Sequence, residues 1–432
     1  MTDRCRADGD GHAPTGRDRS PSESARDPTP ATPGRSPRDT VIPTPTWVPT
    51  DDVIGSTPDR QILVVGDTPT GLALTCLLRA AGYDPVLAGA ADTPTASRVT
   101  FLSPASSDPS TSIAAGASLL DSGVAVDTVT VGSVREDGRV APTVRQRPGD
   151  SGRAPTVTVP TTALSRTLGD ELPAGATARD RTVGAVSAGD GAVAIRFDDG
   201  VREWFDLVVD AGVGSLRSER RGTGAGGPVT ATQYEAVVDR PAGGRVRDVW
   251  VPDGLVQWLP ASADGDTLVR ITTAVPPAGE RAIRVVRDRP EVPDVPGFEA
   301  FGRESVRHGR LPDATAPHCW WGSGRIARCG RAACPTAPAA GVGHSLGLTD
   351  ALGLVSALAR DGSAVPEAVD AYAAGRARRF DGVRRAAAGS APASQVPESA
   401  SEPMRSLGAL RAAALEPFVG AAPAALRRGA PG

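Results

Sequence analysis

The chain has 432 residues, 40% of them hydrophobic, with 47 basic and 50 acidic residues and a net charge of -3. That length suits two packed domains around a sizeable core, and the balanced charge excludes a strongly basic nucleic-acid binder. No run of about 18 apolar residues offers a membrane span, the polar N-terminus lacks a secretory h-region, and five cysteines in so long a chain do not make a disulfide scaffold.

Every basic residue is arginine, a compositional bias and not a functional signal. A cytoplasmic protein with no membrane span and no nucleic-acid partner is the expectation. Residues 1–58 are rich in Thr, Pro, Ser, Asp, Arg and Gly, and their few apolar pairs cannot offset the entropy of ordering them. They read as a disordered tail.

Gln61 to Val65 is a β-branched apolar run ending at Gly66, as expected of a buried parallel strand. After Gly66-Asp67-Thr68-Pro69-Thr70-Gly71, the apolar residues from Leu72 to Ala81 predict a helix closed by Gly82 at the C′ position. Pro85 to Ala88 predicts a second strand. This is a βαβ unit of the dinucleotide-binding kind. Its glycine fingerprint is incomplete: Gly66 and Gly71 hold the first and third places, and Thr68 stands in the middle one, where a backbone must approach pyrophosphate. Asp67, Thr68 or Thr70 can instead cap the helix from within. The place of a ribose-binding carboxylate falls on Gly89, three residues before Asp92.

Asp206 to Asp210 predicts a further strand, running into Ala211-Gly212-Val213-Gly214-Ser215-Leu216-Arg217. Between residues 229 and 315, the runs Ala231 to Val238, Val246 to Val251, Leu255 to Leu259 and Thr267 to Ala274 are separated by turn signals and predict an antiparallel sheet. Tyr234, Trp250, Gln257 and Trp258 are its candidate pocket residues, with sheet core and cross-strand pairing as the other reading of each. Ile326 to Cys334 leads through Pro338-Ala339-Ala340-Gly341-Val342-Gly343-His344-Ser345 into a helix carrying Leu348, Ala351, Leu352, Leu354, Val355 and Leu358.

Taken in order, these segments resemble the FAD-dependent monooxygenases of the para-hydroxybenzoate hydroxylase type, which carry a GxGPAGL loop, a GADGxxSxxR segment and a GDAAHxxxPxxGxGxNxxxxDA segment. Gly66, Pro69, Gly71 and Leu72 match the first. Ala211, Gly212, Ser215 and Arg217 match the second with one residue deleted, and Gly330, Ala332, Ala333, Pro338, Gly341, Gly343, Asp350 and Ala351 match the third. Val159-Pro160-Thr161-Thr162-Ala163-Leu164 with Leu168 resembles the segment before the family's middle strands. The resemblance spans about residues 60 to 380. It implies a Rossmann-like α/β FAD-binding domain (59–228 and 316–385) with an inserted antiparallel substrate sheet (229–315), followed by a linker and short helix (386–432). It also implies FAD held by Gly66, Thr68, Gly71, Gly212, Gly330, Arg331, Pro338, Gly341, Gly343 and His344. NAD(P)H would be the electron donor, and a small molecule bound near Tyr234, Trp250 and Trp258 the substrate.

The departures fall on family contacts to flavin: Thr68, Gly89, the deletion beside Gly212, and Arg331 where the family has Asp. Thr161, Cys334 and Ser345 likewise replace a family Arg, His and Asn. Four lost contacts at on the order of 1 kcal/mol each would weaken flavin binding roughly a thousandfold if additive. Arg331, which can only donate, can still meet a pyrophosphate. Two functions therefore stand side by side: an FAD-dependent oxidoreductase of monooxygenase type, or a binding or regulatory protein on that scaffold without FAD. No catalytic side chain stands out, because flavin carries the family's chemistry. His318, Cys319, Cys329 and Cys334 form no tight C-x-x-C pair, so no metal is expected. Cys76 and Cys329 read as small buried hydrophobes.

Overall fold

The computed structural model describes residues 60–89, 98–102, 123–134, 140–146, 156–173, 176–189, 191–212, 216, 231–239, 242–251, 254–262, 265–273, 309–311, 319–334, 343–360, 363–388, 408 and 411. All of them belong to one unit of the chain, Trp47–Gly432. The expected tail (1–58), Pro338, Gly341, and nearly all of the expected linker and C-terminal helix lie outside the described residues.

Strand β1 (Ile62–Val65) is buried at all four positions. Helix α1 (Pro69–Ala80) begins with proline, whose fixed φ and missing N–H suit a first helical turn. It ends in a Schellman arrangement: Gly82, at φ 86°, donates to Arg79 O, and Tyr83 donates to Leu78 O. Strand β2 (Val86–Gly89) follows, parallel to β1.

Three short strands form a small separate sheet: β3 (Val99–Leu102), β4 (Val124–Ala125) and β7 (Val157–Pro160). Strands β5 (Thr128–Val134) and β6 (Val140–Gln146) lie between β4 and β7 in the chain. Helix α2 (Thr161–Asp170) buries Leu164 and Leu168, the two leucines picked out by the sequence pattern. Strands β8 (Thr177–Ala188), β9 (Val193–Phe197) and β10 (Arg202–Phe205) form a meander, and β11 (Leu207–Asp210) returns beside β1.

The second part of the chain supplies β12 (Ala231–Val238), β13 (Arg245–Val251), β14 (Gly254–Pro260), β15 (Thr267–Thr273) and β16 (Gly309–Leu311). It then supplies β17 (Gly322–Ser323), β18 (Ile326–Arg328) and the helices α3 (Gly343–Leu358) and α4 (Val365–Ala388). The fold is thus mixed α/β, as the sequence pattern predicts.

One sheet has eight strands in the order β10-β9-β8-β2-β1-β11-β18-β17, with β8, β2, β1, β11 and β18 mutually parallel. Alternation along β1 and β11 sends Ile62, Val64, Leu207 and Val209 into a core with α1, α2, α3 and α4. It sends Leu63, Val65 and Val208 to the opposite face, against Val193, Ile195, Phe197 and Phe205 of the meander. The sequence reading passes over α4, although Val365, Ala368, Val369 and Tyr372 are buried at helical spacing there. No helix among the described residues is long and apolar enough to cross a membrane.

The second sheet runs β16-β12-β15-β14-β13-β5-β6. Its central strands match the predicted runs within a residue or two. It is also wider than the 229–315 stretch, because β5 pairs in parallel with β13 and brings β6 with it. Such a pairing joins segments more than a hundred residues apart, so local sequence patterning carries no trace of it.

Candidate functional site

The site is built where the parallel strands end. At Gly66 (φ 118°) the chain leaves β1 so close to the next turn that a Cβ would lie 2.6 Å from both the Cα and the N of Gly212. A Cβ at Gly71 would run into the carbonyl of Gly66. These glycines are required by packing, whatever lies beyond them.

The first helical turn is closed from within. Gly71 N donates to Thr68 Oγ1 at 3.2 Å, and Thr68 Oγ1 donates to Ala211 O at 2.7 Å. Leu72 N donates to Thr68 O at 2.9 Å. Pro69 has no N–H, so only Thr70 N of this turn is left for a phosphate. Gly89 closes β2 buried and brings no carboxylate; Asp92 lies outside the described residues.

The second turn is held by Asp210, at the end of β11. Its carboxylate accepts from Gly212 N at 3.1 Å and from Leu216 N at 3.3 Å.

The third turn follows β18. Gly330 (φ 60°) is packed so that a Cβ would lie 3.0 Å from Gly347 Cα and from Thr70 Oγ1, which brings the starts of α1 and α3 together. Asp350, wholly buried in α3, accepts from Gly330 N at 2.8 Å and from Trp321 Nε1 at 3.3 Å, and its carboxylate faces the Arg376 guanidinium of α4. Burial raises the Asp350 pKa, and Arg376 acts against that rise. Cys319 and Cys334 are joined by a disulfide across the base of this turn, and Cys329 is buried with its Sγ 3.4 Å from Tyr372 Oη.

Arg331 follows directly. It is partly buried, and burial lowers its pKa. Among the described residues it has no carboxylate or hydrogen-bond partner. His344, the second residue of α3, is pushed down to about 4 by burial, with Arg331 and Arg270 adding to the effect. A neutral imidazole and an uncompensated guanidinium therefore sit together beside the start of α3.

The inner face of the seven-stranded sheet closes the other side. Asp248, Gln257, Arg270 and Glu235 stand side by side on β13, β14, β15 and β12, one per strand, and all are buried. Arg270 Nε donates to Glu235 Oε1 at 2.8 Å, and Arg270 Nη2 reaches Val99 O of β3. Gln257 Nε2 donates to Asp248 Oδ1 at 3.0 Å. Arg411, from the C-terminal segment, donates to Asp248 Oδ2 at 2.7 Å and lies over the Phe101 ring. Phe101 O in turn accepts from Ser345 Oγ of α3 at 2.5 Å. These contacts tie the sheet, β3 and the third turn into one wall.

The proposed aromatic pocket does not form as a unit. Trp250 and Gln257 face this wall. Tyr234 and Trp258 point to the opposite side, against Val251, Val256, Val269 and Ile271, with Arg247 5.2 Å over the Trp258 ring. Successive strand residues alternate between faces, so adjacent Gln257 and Trp258 cannot share a pocket. Sequence reasoning passed over Asp210, Arg376 and the paired charges of the inner face. A charged residue inside an apolar strand run was the signal available for Asp248, Arg270 and Glu235.

The sequence matches no protein-family model and no curated protein. Solved structures do resemble the fold. PqsL of Pseudomonas aeruginosa, a probable FAD-dependent monooxygenase also seen with 2-aminobenzoylacetate, is 18% identical with a TM-score of 0.61 over 81% of this chain and 99% of that one. HpxO of Klebsiella pneumoniae, complexed with FAD and uric acid, is 17% identical with a TM-score of 0.58 over 75% and 85%. The tetracycline destructase Tet(51) is 14% identical with a TM-score of 0.56 over 84% and 99%. At these identities the likeness is one of architecture: this chain has the α/β fold found in FAD-binding monooxygenases.

Proposed function

We propose that this protein is an FAD-dependent oxidoreductase of monooxygenase type, related in kind to the para-hydroxybenzoate hydroxylases, acting on a small organic substrate with NAD(P)H as electron donor. One observation carries the reading. Turns at Gly66, Gly212 and Gly330 follow the neighbouring parallel strands β1, β11 and β18, with Gly66 packed on Gly212 and Gly330 packed against Thr70 of the first turn. Arg331, without a carboxylate partner among the described residues, follows Gly330 in the third turn.

The residues present fit the cofactor in part. Arg331 suits a dianionic pyrophosphate or another electron-rich group. The first turn fits poorly, because Thr68 already takes the Gly71 and Leu72 donors and Pro69 has none, which leaves Thr70 N. FAD, when bound, supplies redox chemistry with oxygen. The chain contributes position and environment: the inner sheet face holds the substrate, packed neighbours exclude water, and His344 offers an uncharged ring near neutral pH.

A second reading has its own support. A first turn satisfied internally by Thr68 and a β2 that ends at Gly89 without a carboxylate favour a binding protein that has given up FAD.

Titration of FAD into the full-length chain separates the two. Quenching of flavin fluorescence is expected, and Arg331→Met should weaken uptake by roughly tenfold. Colourless protein that quenches no flavin fluorescence overturns the first reading in favour of the second.

A further inference from the structure

The inner face of the seven-stranded sheet carries a concentrated deficit of hydrogen bonds. Gln257 is wholly buried, and its Nε2 faces Asp248, as it must, because a carboxylate only accepts. That orientation leaves Gln257 Oε1 buried without a donor. Among the described residues Thr272, also wholly buried, has no partner for Oγ1, and Gln233, 2% exposed, has none for Nε2. Buried polar atoms are nearly always paired, so each such atom calls for a physical reason.

The three do not lie at random. Gln233 and Thr272 are cross-strand neighbours on β12 and β15, and Thr272 pairs with Leu255, two residues from Gln257 on β14. By strand alternation all three share the face that carries Arg270 and Glu235 toward β3. They span two strand spacings, about 10 Å, which suits a fused bicyclic ring with its hydrogen bonds. Trp250 lies in the same cross-strand row as Leu255, Thr272 and Gln233 and adds a flat apolar wall.

Charge narrows the choice of ligand. Asp248 is matched by Arg411 and Glu235 by Arg270, so among the described residues this face carries no surplus charge to attract an anion. Gln257 Oε1 requires a donor, Gln233 Nε2 requires an acceptor, and the Thr272 hydroxyl serves as either.

We infer that this face is the recognition site for a neutral, planar ring with an amide edge, an N–H beside a C=O as in a lactam or cyclic ureide, read by Gln257, Thr272 and Gln233. The inference names a substrate class for this sheet face and so rests on the reading that the inner sheet face holds the substrate. A carboxylate in the same position would set acceptor against acceptor at Gln257 Oε1.

The test is calorimetric titration of the full-length chain with a matched pair, quinolin-2-one and quinoline-2-carboxylate. Quinolin-2-one should bind at least roughly tenfold more tightly. Thr272→Val and Gln233→Leu should each weaken it by roughly tenfold without lowering the unfolding midpoint, since each removes a polar group that the free protein leaves unpaired. Equal or stronger binding of the carboxylate, binding of neither compound, or unaltered affinity in both folded variants overturns the inference. The ratio in the unsubstituted chain decides the matter if a variant fails to fold. FAD uptake, followed separately by flavin fluorescence, tells the two failures apart. Lactam preference without flavin uptake ends only the cofactor reading, and flavin uptake without lactam preference ends only this one.

Discussion

Gly66 and Gly212 touch backbone to backbone: a methyl group on the first would lie 2.6 Å from the Cα and N of the second. The contact welds the turn after β1 to the turn after β11, strands that are neighbours in the parallel sheet. Gly66 also sits at φ 118°, where a side chain is strained whatever the space. Gly66→Ala is therefore expected to cost at least about 2 kcal/mol. Urea denaturation measures it, and a loss below about 0.5 kcal/mol would show that the two turns can part freely.

Thr68 works against ligand binding as it stabilises the helix. Thr68→Gly removes the bond to Gly71 N and the bond to Ala211 O, for a loss of about 1 kcal/mol. It also frees the Gly71 N–H and clears the Cβ from the turn. The expected outcome is a lower melting temperature together with tighter FAD uptake in the same protein. Tighter uptake without destabilisation, or the reverse, would separate capping from phosphate access.

Asp350 anchors the third turn through Gly330 N and Trp321 Nε1, and Arg376 compensates its charge. Removing one member of a buried pair strands the other in a poorly solvated place. Arg376→Met should cost about 3–5 kcal/mol, and Asp350→Asn added to it should recover part of the loss. Equilibrium unfolding of the single and double variants gives both numbers.

His344 predicts a pH dependence with a definite sign. Its folded pKa of about 4 lies below the ordinary 6.5. Above 6.5 neither the folded nor the unfolded chain carries the proton, and the contribution is complete. As pH falls from 6.5 toward 4, only the unfolded chain binds it, and stability is lost by up to about 3 kcal/mol. His344→Asn should flatten that part of the profile. Denaturation midpoints of the two proteins at pH 7 and pH 4.5 check it, and parallel profiles would place the imidazole in ordinary solvent.

Much of the fold is legible in local pattern. The β1–α1–β2 unit follows from a β-branched run, a glycine turn and an apolar helix closed by Gly82. The strands β12 to β15 follow from alternation bounded by turn residues. That Gln257 and Trp258 face opposite ways was equally legible, since neighbours in a strand always do. Helix α4 carried its own signal in Val365, Ala368, Val369 and Tyr372.

The sequence by itself determined which segments become strands and helices, because period and turn chemistry act within a few residues. Only the tertiary structure decided which face of the second sheet looks inward, that β5 joins β13, and that Asp248, Gln257, Arg270 and Glu235 fall into one row. Those outcomes depend on register between distant segments, and register is set by burial of whole faces. The same holds for Thr68: its residue type allowed either a cap or an obstacle to phosphate, and the nearby Ala211 carbonyl and Gly71 N–H made it both.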